Sequence, residues 1–154
     1  MRGSELDALQ KAVRGGQSGL DVPDILVVAR DANCERFSNA RRTIQAHIDR
    51  TVFRASAIAC PDPHIERWFL ADPISFRQVV GAEASAGKRK CIRNLYKRRL
   101  ADAIRNGGHP VTLGGIEFAI ELVEALDLYR AGRNEPSLQH FIEDFRQALV
   151  LVTG

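Results

Sequence analysis

Residues 24–33, Asp-Ile-Leu-Val-Val-Ala-Arg-Asp-Ala-Asn, decide how this chain is read. Ile25, Leu26, Val27, Val28 and Ala29 make an apolar, β-branched run without polar alternation, which predicts a strand buried on both faces of a parallel sheet. Its carboxyl end carries Asp31 and Asn33. Ligands of open α/β sheets sit outside the carboxyl ends of the strands, so Asp-x-Asn at this edge is placed to hold a divalent cation through oxygen. The same two residues also suit an Asx turn and a helix cap, for purely local reasons.

Working outward, Phe37, Ala40, Ile44 and Ile48 recur at spacings of three and four, predicting an amphipathic helix from about Glu35 to Asp49 whose other face carries Arg36, Arg41 and Arg42. A second β run, Val52 to Ile58, leads into Cys60-Pro61-Asp62-Pro63, where two prolines force an extended exit. The unit reads β-α-β. A right-handed crossover lays the strands parallel and brings both exits, Asp31 to Asn33 and Asp62 to Glu66, to one sheet edge.

The remainder is helical in pattern. Ser4 is placed to cap a short helix through Leu6, Leu9 and Val13, ended by the glycines at 15–19. Downstream, helices are predicted over His64–Leu70, Pro73–Val80, Lys88–Asn106, Leu113–Leu128 and Ser137–Val150, with the terminal LVLVTG readable as a short strand. The fold class expected is therefore α/β, a small parallel sheet followed by a largely helical C-terminal half. Two or three strands leave sheet edges that helices or another chain must cover.

At 154 residues, with 45% hydrophobic and 27% charged content, the chain suits one globular domain. A net charge of +3 permits nucleic-acid contact without establishing it. Cys34, Cys60 and Cys91 are odd in number and widely spaced, which indicates neither a disulfide framework nor a zinc site and makes a reducing cytoplasm the default. No apolar run approaches the roughly 20 residues of a membrane span, so no membrane association is expected.

The densest candidate chemistry lies in residues 61–73, PDPHIERWFLADP. Asp62 is positioned as the N-cap of a helix starting near Pro63, or as a ligand. Ile65, Trp68 and Phe69 supply an apolar stripe that places Glu66 close to the core, where a carboxylate needs a metal, an arginine or its own proton. His64 is a turn residue, a metal ligand or a general acid. Asp72, before Pro73, is an N-cap. From Lys88 to Arg99, Lys88, Arg89, Lys90, Arg93, Lys97, Arg98 and Arg99 are seven basic residues without an acid, interleaved with Ile92, Leu95 and Tyr96, a pattern suited to phosphate contact. Lys88, Arg89 and Lys90 follow the flexible GAEASAG segment and are placed to reach a transition-state phosphate. The GGHP at 107–110 and LGG at 113–115 match no phosphate-loop pattern and read as helix punctuation.

VVARDANC, ACPDPHIERWFLADP and LGGIEFAIELVEALDL together resemble a group of bacterial TOPRIM-related proteins of poorly defined function, linked with phage-defence loci and ATPase partners. The likeness runs from about Asp24 to the C-terminus. It implies one domain over 1–154 with a partial TOPRIM-like βαβ core, short of the upstream strand that bears the family's glutamate. It also implies a Mg²⁺ (or Mn²⁺) site in which Asp31 matches the first aspartate of the family's Asp-x-Asp. Asn33 matches the second, with a carbonyl oxygen but no charge, and Glu66 is the remaining acid. On that basis Asp31, Glu66 and Lys88 are the candidate catalytic residues of a metal-dependent nuclease or phosphodiester hydrolase subunit, with nucleic acid, an ATPase subunit and a second copy of the chain as candidate partners. The alternative is a non-catalytic nucleic-acid-binding or adaptor subunit.

Overall fold

The computed structural model describes residues 3–15 and 23–154. Helix α1 (Gly3–Arg14) precedes strand β1 (Ile25–Ala29), helix α2 (Phe37–His47) and strand β2 (Ala55–Ala59). The helical half follows as α3 (Glu66–Phe69), α4 (Pro73–Val80), α5 (Leu95–Asn106), a 3-10 turn (Ile116–Phe118), α6 (Ala119–Ala125), α7 (Leu128–Asn134) and α8 (Pro136–Thr153). Ser4 lies inside α1 rather than capping it. Most of the glycine-rich stretch expected to end that helix falls outside the described residues.

β1 and β2 pair in parallel, Ile25 opposite Ala55 through Ala29 opposite Ala59, so the β-α-β unit and the α/β class stand as expected. The ladder continues past the strands: Arg30 N–H donates to the Ala59 carbonyl, Ala32 to Pro61 and Asn33 to Pro63, at 2.8–2.9 Å. Both exits therefore run side by side along one edge, with a cis Asp62–Pro63 peptide on the β2 side.

β1 departs from the expectation of burial on both faces. Leu26 and Val28 join Leu6, Ala40, Ile44, Phe53 and Ile58 in one core, whereas Val27 is 45% exposed on the opposite face. Helix α8 supplies the reason, because it lies against β2 and barely reaches β1. The Asp144 carboxylate of α8 accepts a hydrogen bond from Ile58 N–H of β2 and one from Arg41 at 2.6 Å. Arg41 is thus drawn inward from the polar face of α2, and part of the outer edge of β2 is satisfied without a third strand.

A second core gathers Phe76, Val80, Tyr96, Leu100, Ile104 and Leu122 from α4, α5 and α6. α4 keeps the predicted span, with Asp72 as N-cap accepting from Ile74 N–H and Gly81 in the left-handed conformation at its end. Gly107, closing α5, lies so close to the Val80 carbonyl that a Cβ would sit 2.1 Å from that oxygen. A third cluster, Trp68, Ala71, Ala131 and Leu138, ties α3 to α7 and α8.

Three expected spans are revised. The segment predicted as one helix over 113–128 breaks into the 3-10 turn and α6, and α7 is additional. The terminal LVLVTG continues α8, whose 18 residues outweigh the local β propensity. Helix α5 begins at Leu95, leaving residues 88–94 outside any helix. The described residues contain no helix long and apolar enough to cross a membrane.

Candidate functional site

The edge outside Ala29 and Ala59 is built from two turns and a tether. Asn33 has φ 56°, in the left-handed region that asparagine tolerates, and its amide Nδ2 donates to the Asp31 carbonyl at 3.2 Å. The adjacent turn places His64 Nδ1 3.5 Å from Asp31 Oδ2. Burial pushes the Asp31 carboxyl above its ordinary value. The His64 contacts pull it back, and the nearby Glu66 carboxylate raises it again.

Glu66 occupies the first position of α3 and is half-buried, as its spacing to Phe69 and Leu70 predicts. Neither Arg67 nor Arg30 pairs with it. Arg67 turns inward to Glu135, to the Tyr96 hydroxyl at 2.8 Å and to the Gly87 carbonyl at 3.0 Å, while Arg30 meets Glu35 at 3.5 Å. Among the described residues Glu66 has no ion-pair partner, and its charge adds to that of Asp31 at an edge where His64 is the one facing cation former.

Asp62 serves neither as a cap nor as a free ligand. α3 starts at Glu66 without a side-chain cap, and Asp62, 8% exposed, accepts from Arg89 Nε at 2.6 Å. The Arg89 Nη2 group reaches the carbonyls of Glu35 at 2.9 Å and Asn33 at 3.5 Å. Cys34 and Cys91 form a disulfide with Cα atoms 5.3 Å apart, contrary to the expectation of unpaired thiols. Their separation of 57 residues concealed the pairing, since it follows from the packing of the two loops. The third cysteine, Cys60, is buried, and its thiol is raised to about 11, foremost by desolvation.

The basic run is therefore not one helical face. Tyr96, fully buried, accepts from Lys90 N–H at 2.8 Å and donates to the Lys88 carbonyl at 3.2 Å, which holds residues 88–90 outside the helix, ahead of α5. Arg99 donates to the Ala86 carbonyl at 2.7 Å and lies over the Tyr96 ring. Arg89 and Arg99 are thus consumed internally. Lys88, Lys90, Arg93, Lys97 and Arg98 remain exposed, with no ion pair among the described residues. Sequence pattern located this cluster but gave no sign that Tyr96 and Asp62 would fasten it to the Asp31 edge.

A metal ion has an incomplete protein donor set here. No three His, Cys, Asp or Glu side chains among the described residues group closely enough to hold one. Asp31 and the unpaired Glu66 offer at most two carboxylates, the number Mg²⁺ takes where it retains water and draws its other ligands from phosphate. The glycine-rich loop at 113–115 is filled from within: the Glu117 carboxylate accepts from Thr112 N–H at 2.7 Å, Gly115 at 2.9 Å and Leu113 at 3.3 Å. Its own backbone amide, foremost, and those of Thr112, Leu113 and Gly115 hold Glu117 below the usual carboxylate range.

Comparison with family models, with curated proteins and with solved structures returned no match. The class supported is therefore the architecture alone, an α/β fold with a helical half.

Proposed function

We propose that this protein is a nucleic-acid-binding subunit with Mg²⁺-assisted phosphodiester hydrolase (nuclease) activity at the Asp31–Glu66 edge, serving bacterial defence with an ATPase or other protein partner. The observation that carries this reading is the half-buried Glu66 carboxylate, left without a cation beside an Asp31 whose proton affinity is raised. Uncompensated carboxylates at a sheet edge are costly to folding and are characteristic of functional sites.

Asp31 and Glu66 would hold Mg²⁺ or Mn²⁺, with the Asn33 side chain supporting the turn through the Asp31 carbonyl. Such an ion, when bound, polarises phosphate and lowers the pKa of water. His64 steadies the Asp31 carboxylate from 3.5 Å. Lys90, Arg93, Lys97 and Arg98 would neutralise the nucleic-acid backbone and set its register, with Lys88 as the candidate for the scissile phosphate. Arg89 positions this segment by bridging Asp62 and the Asn33–Glu35 turn.

The test is calorimetric titration with Mg²⁺ and Mn²⁺, alongside cleavage of single- and double-stranded DNA and RNA. Asp31→Ala and Glu66→Ala should each abolish cleavage and leave nucleic-acid affinity within about twofold, because phosphate contacts supply most of the affinity. Cleavage that survives both substitutions overturns the assignment. The absence of a three-ligand metal group among the described residues favours a second reading, a non-catalytic adaptor. It requires no hydrolysis with any metal, and binding whose salt dependence flattens by about one unit of slope for each of Lys97 and Arg98 neutralised.

A further inference from the structure

The helical half contains a cavity that no part of the proposed activity uses. It has a volume of about 520 Å³, within the range of small-molecule pockets, and lies between α3, α6 and α8, lined by Trp68, Leu122, Leu126, Phe141, Phe145 and Leu149 among others. Apart from Arg146, every lining side chain is aliphatic or aromatic. The stripe on α8 explains the opening: Leu138 is 4% exposed, whereas Phe145 and Leu149 are 37% and 40% exposed, so burial runs out along the helix.

The charge at its rim selects among occupants. Arg146 makes no ion pair or hydrogen bond among the described residues. It also lines an adjoining cavity of about 100 Å³ that adds Arg133, whose guanidinium lies 5.8 Å from the Tyr129 ring centroid. Glu143, the acid lining that second cavity, is engaged by Gln139 at 2.9 Å and by His140 at 3.8 Å. An apolar slot whose lining includes one unpaired, exposed basic side chain is complementary to a molecule with a hydrocarbon body and a single anionic end.

We infer that this cavity binds a free long-chain carboxylate, with the chain against Trp68, Phe141 and Phe145 and the carboxylate at Arg146. Trp68 is the sole tryptophan of the sequence and packs on Phe141 with ring centroids 5.6 Å apart, so its fluorescence reports the slot directly.

Titration of the full chain with dodecanoate should give a saturable, one-site change in Trp68 emission. Arg146→Glu, at an exposed position, should weaken dodecanoate by about fivefold or more, the scale of a partly exposed ion pair, and leave dodecanol affinity unchanged. Three outcomes overturn the proposal: no saturable response, equal loss for dodecanoate and dodecanol, or a Trp68 shift that follows protein concentration without ligand, which would assign the slot to a second copy of the chain. A response only to phosphatidylcholine vesicles would likewise replace it with a bilayer contact.

Discussion

Two acids, Asp72 buried in the helical half and Asp31 half-buried at the sheet edge, are treated in opposite ways. Asp72, 1% exposed, has both oxygens occupied by Ser75 at 2.7 Å, Arg130 at 2.9 and 3.2 Å, Asp127 N–H at 3.2 Å and Ile74 N–H at 3.3 Å. Desolvation alone would raise it, but these partners outweigh burial and hold its carboxyl at about 2. Asp31, less deeply placed, is raised instead, because desolvation and Glu66 prevail over His64. The helical half compensates its buried acids, Asp72 and Glu135, internally, whereas the sheet edge leaves negative charge for something else to neutralise. Surplus charge of this kind separates a site from a scaffold.

The largest effect that tests this contrast comes from Glu135. Burial raises its carboxyl while Arg67 draws it down, and Arg67 is itself only 7% exposed. Glu135→Ala would leave that guanidinium buried without its carboxylate, so unfolding in urea should show a loss of about 3–5 kcal/mol. Asp72→Ala removes a helix cap and an ion pair whose arginine is 40% exposed in its side chain, and should cost about 2 kcal/mol by the same measurement. A loss below about 0.5 kcal/mol in either variant would show that the helical half is not held by its charges.

Acid titration sharpens the same comparison. Asp72 is depressed in the folded protein, so its contribution is complete above 3.8 and is lost as pH falls from 3.8 toward about 2. Asp31 has the opposite sign: its charge opposes folding once pH rises through its elevated value. Asp72→Asn should therefore flatten the acid limb of a stability-versus-pH curve, and Asp31→Asn should not. The smallest effect is at Glu66. Replacing it with Gln removes a like charge, so the Asp31 carboxyl should titrate lower by carbon-13 NMR, with stability changed by less than about 0.5 kcal/mol. An unmoved Asp31 would dissolve the proposed pair.

Much of this arrangement was legible in the residues. The run Ile25–Ala29 specified a strand, and the proline after Asp72 specified the start of α4, because backbone stereochemistry and short-range hydrogen bonding act within a few positions. The parallel pairing followed from one helix between two β runs, and the shared edge of the two strand exits followed from that pairing. The start of α5 was not legible. Residues 88–94 have adequate helix propensity, but Arg89 and Cys91 fasten them to loops more than 25 positions away, and the Tyr96 hydroxyl of the following helix takes up their backbone.

The sequence by itself determined the local alphabet of this protein: which segments are strand or helix, where acids and bases cluster, and that two strand exits share an edge. Tertiary structure alone decided which charges are spent. It gave Asp62 to Arg89, Glu135 to Arg67 and Asp72 to Arg130, and left Glu66 and Arg146 without partners among the described residues. Ion pairing depends on distances of a few ångströms between groups remote in the chain, and local pattern carries no record of such distances.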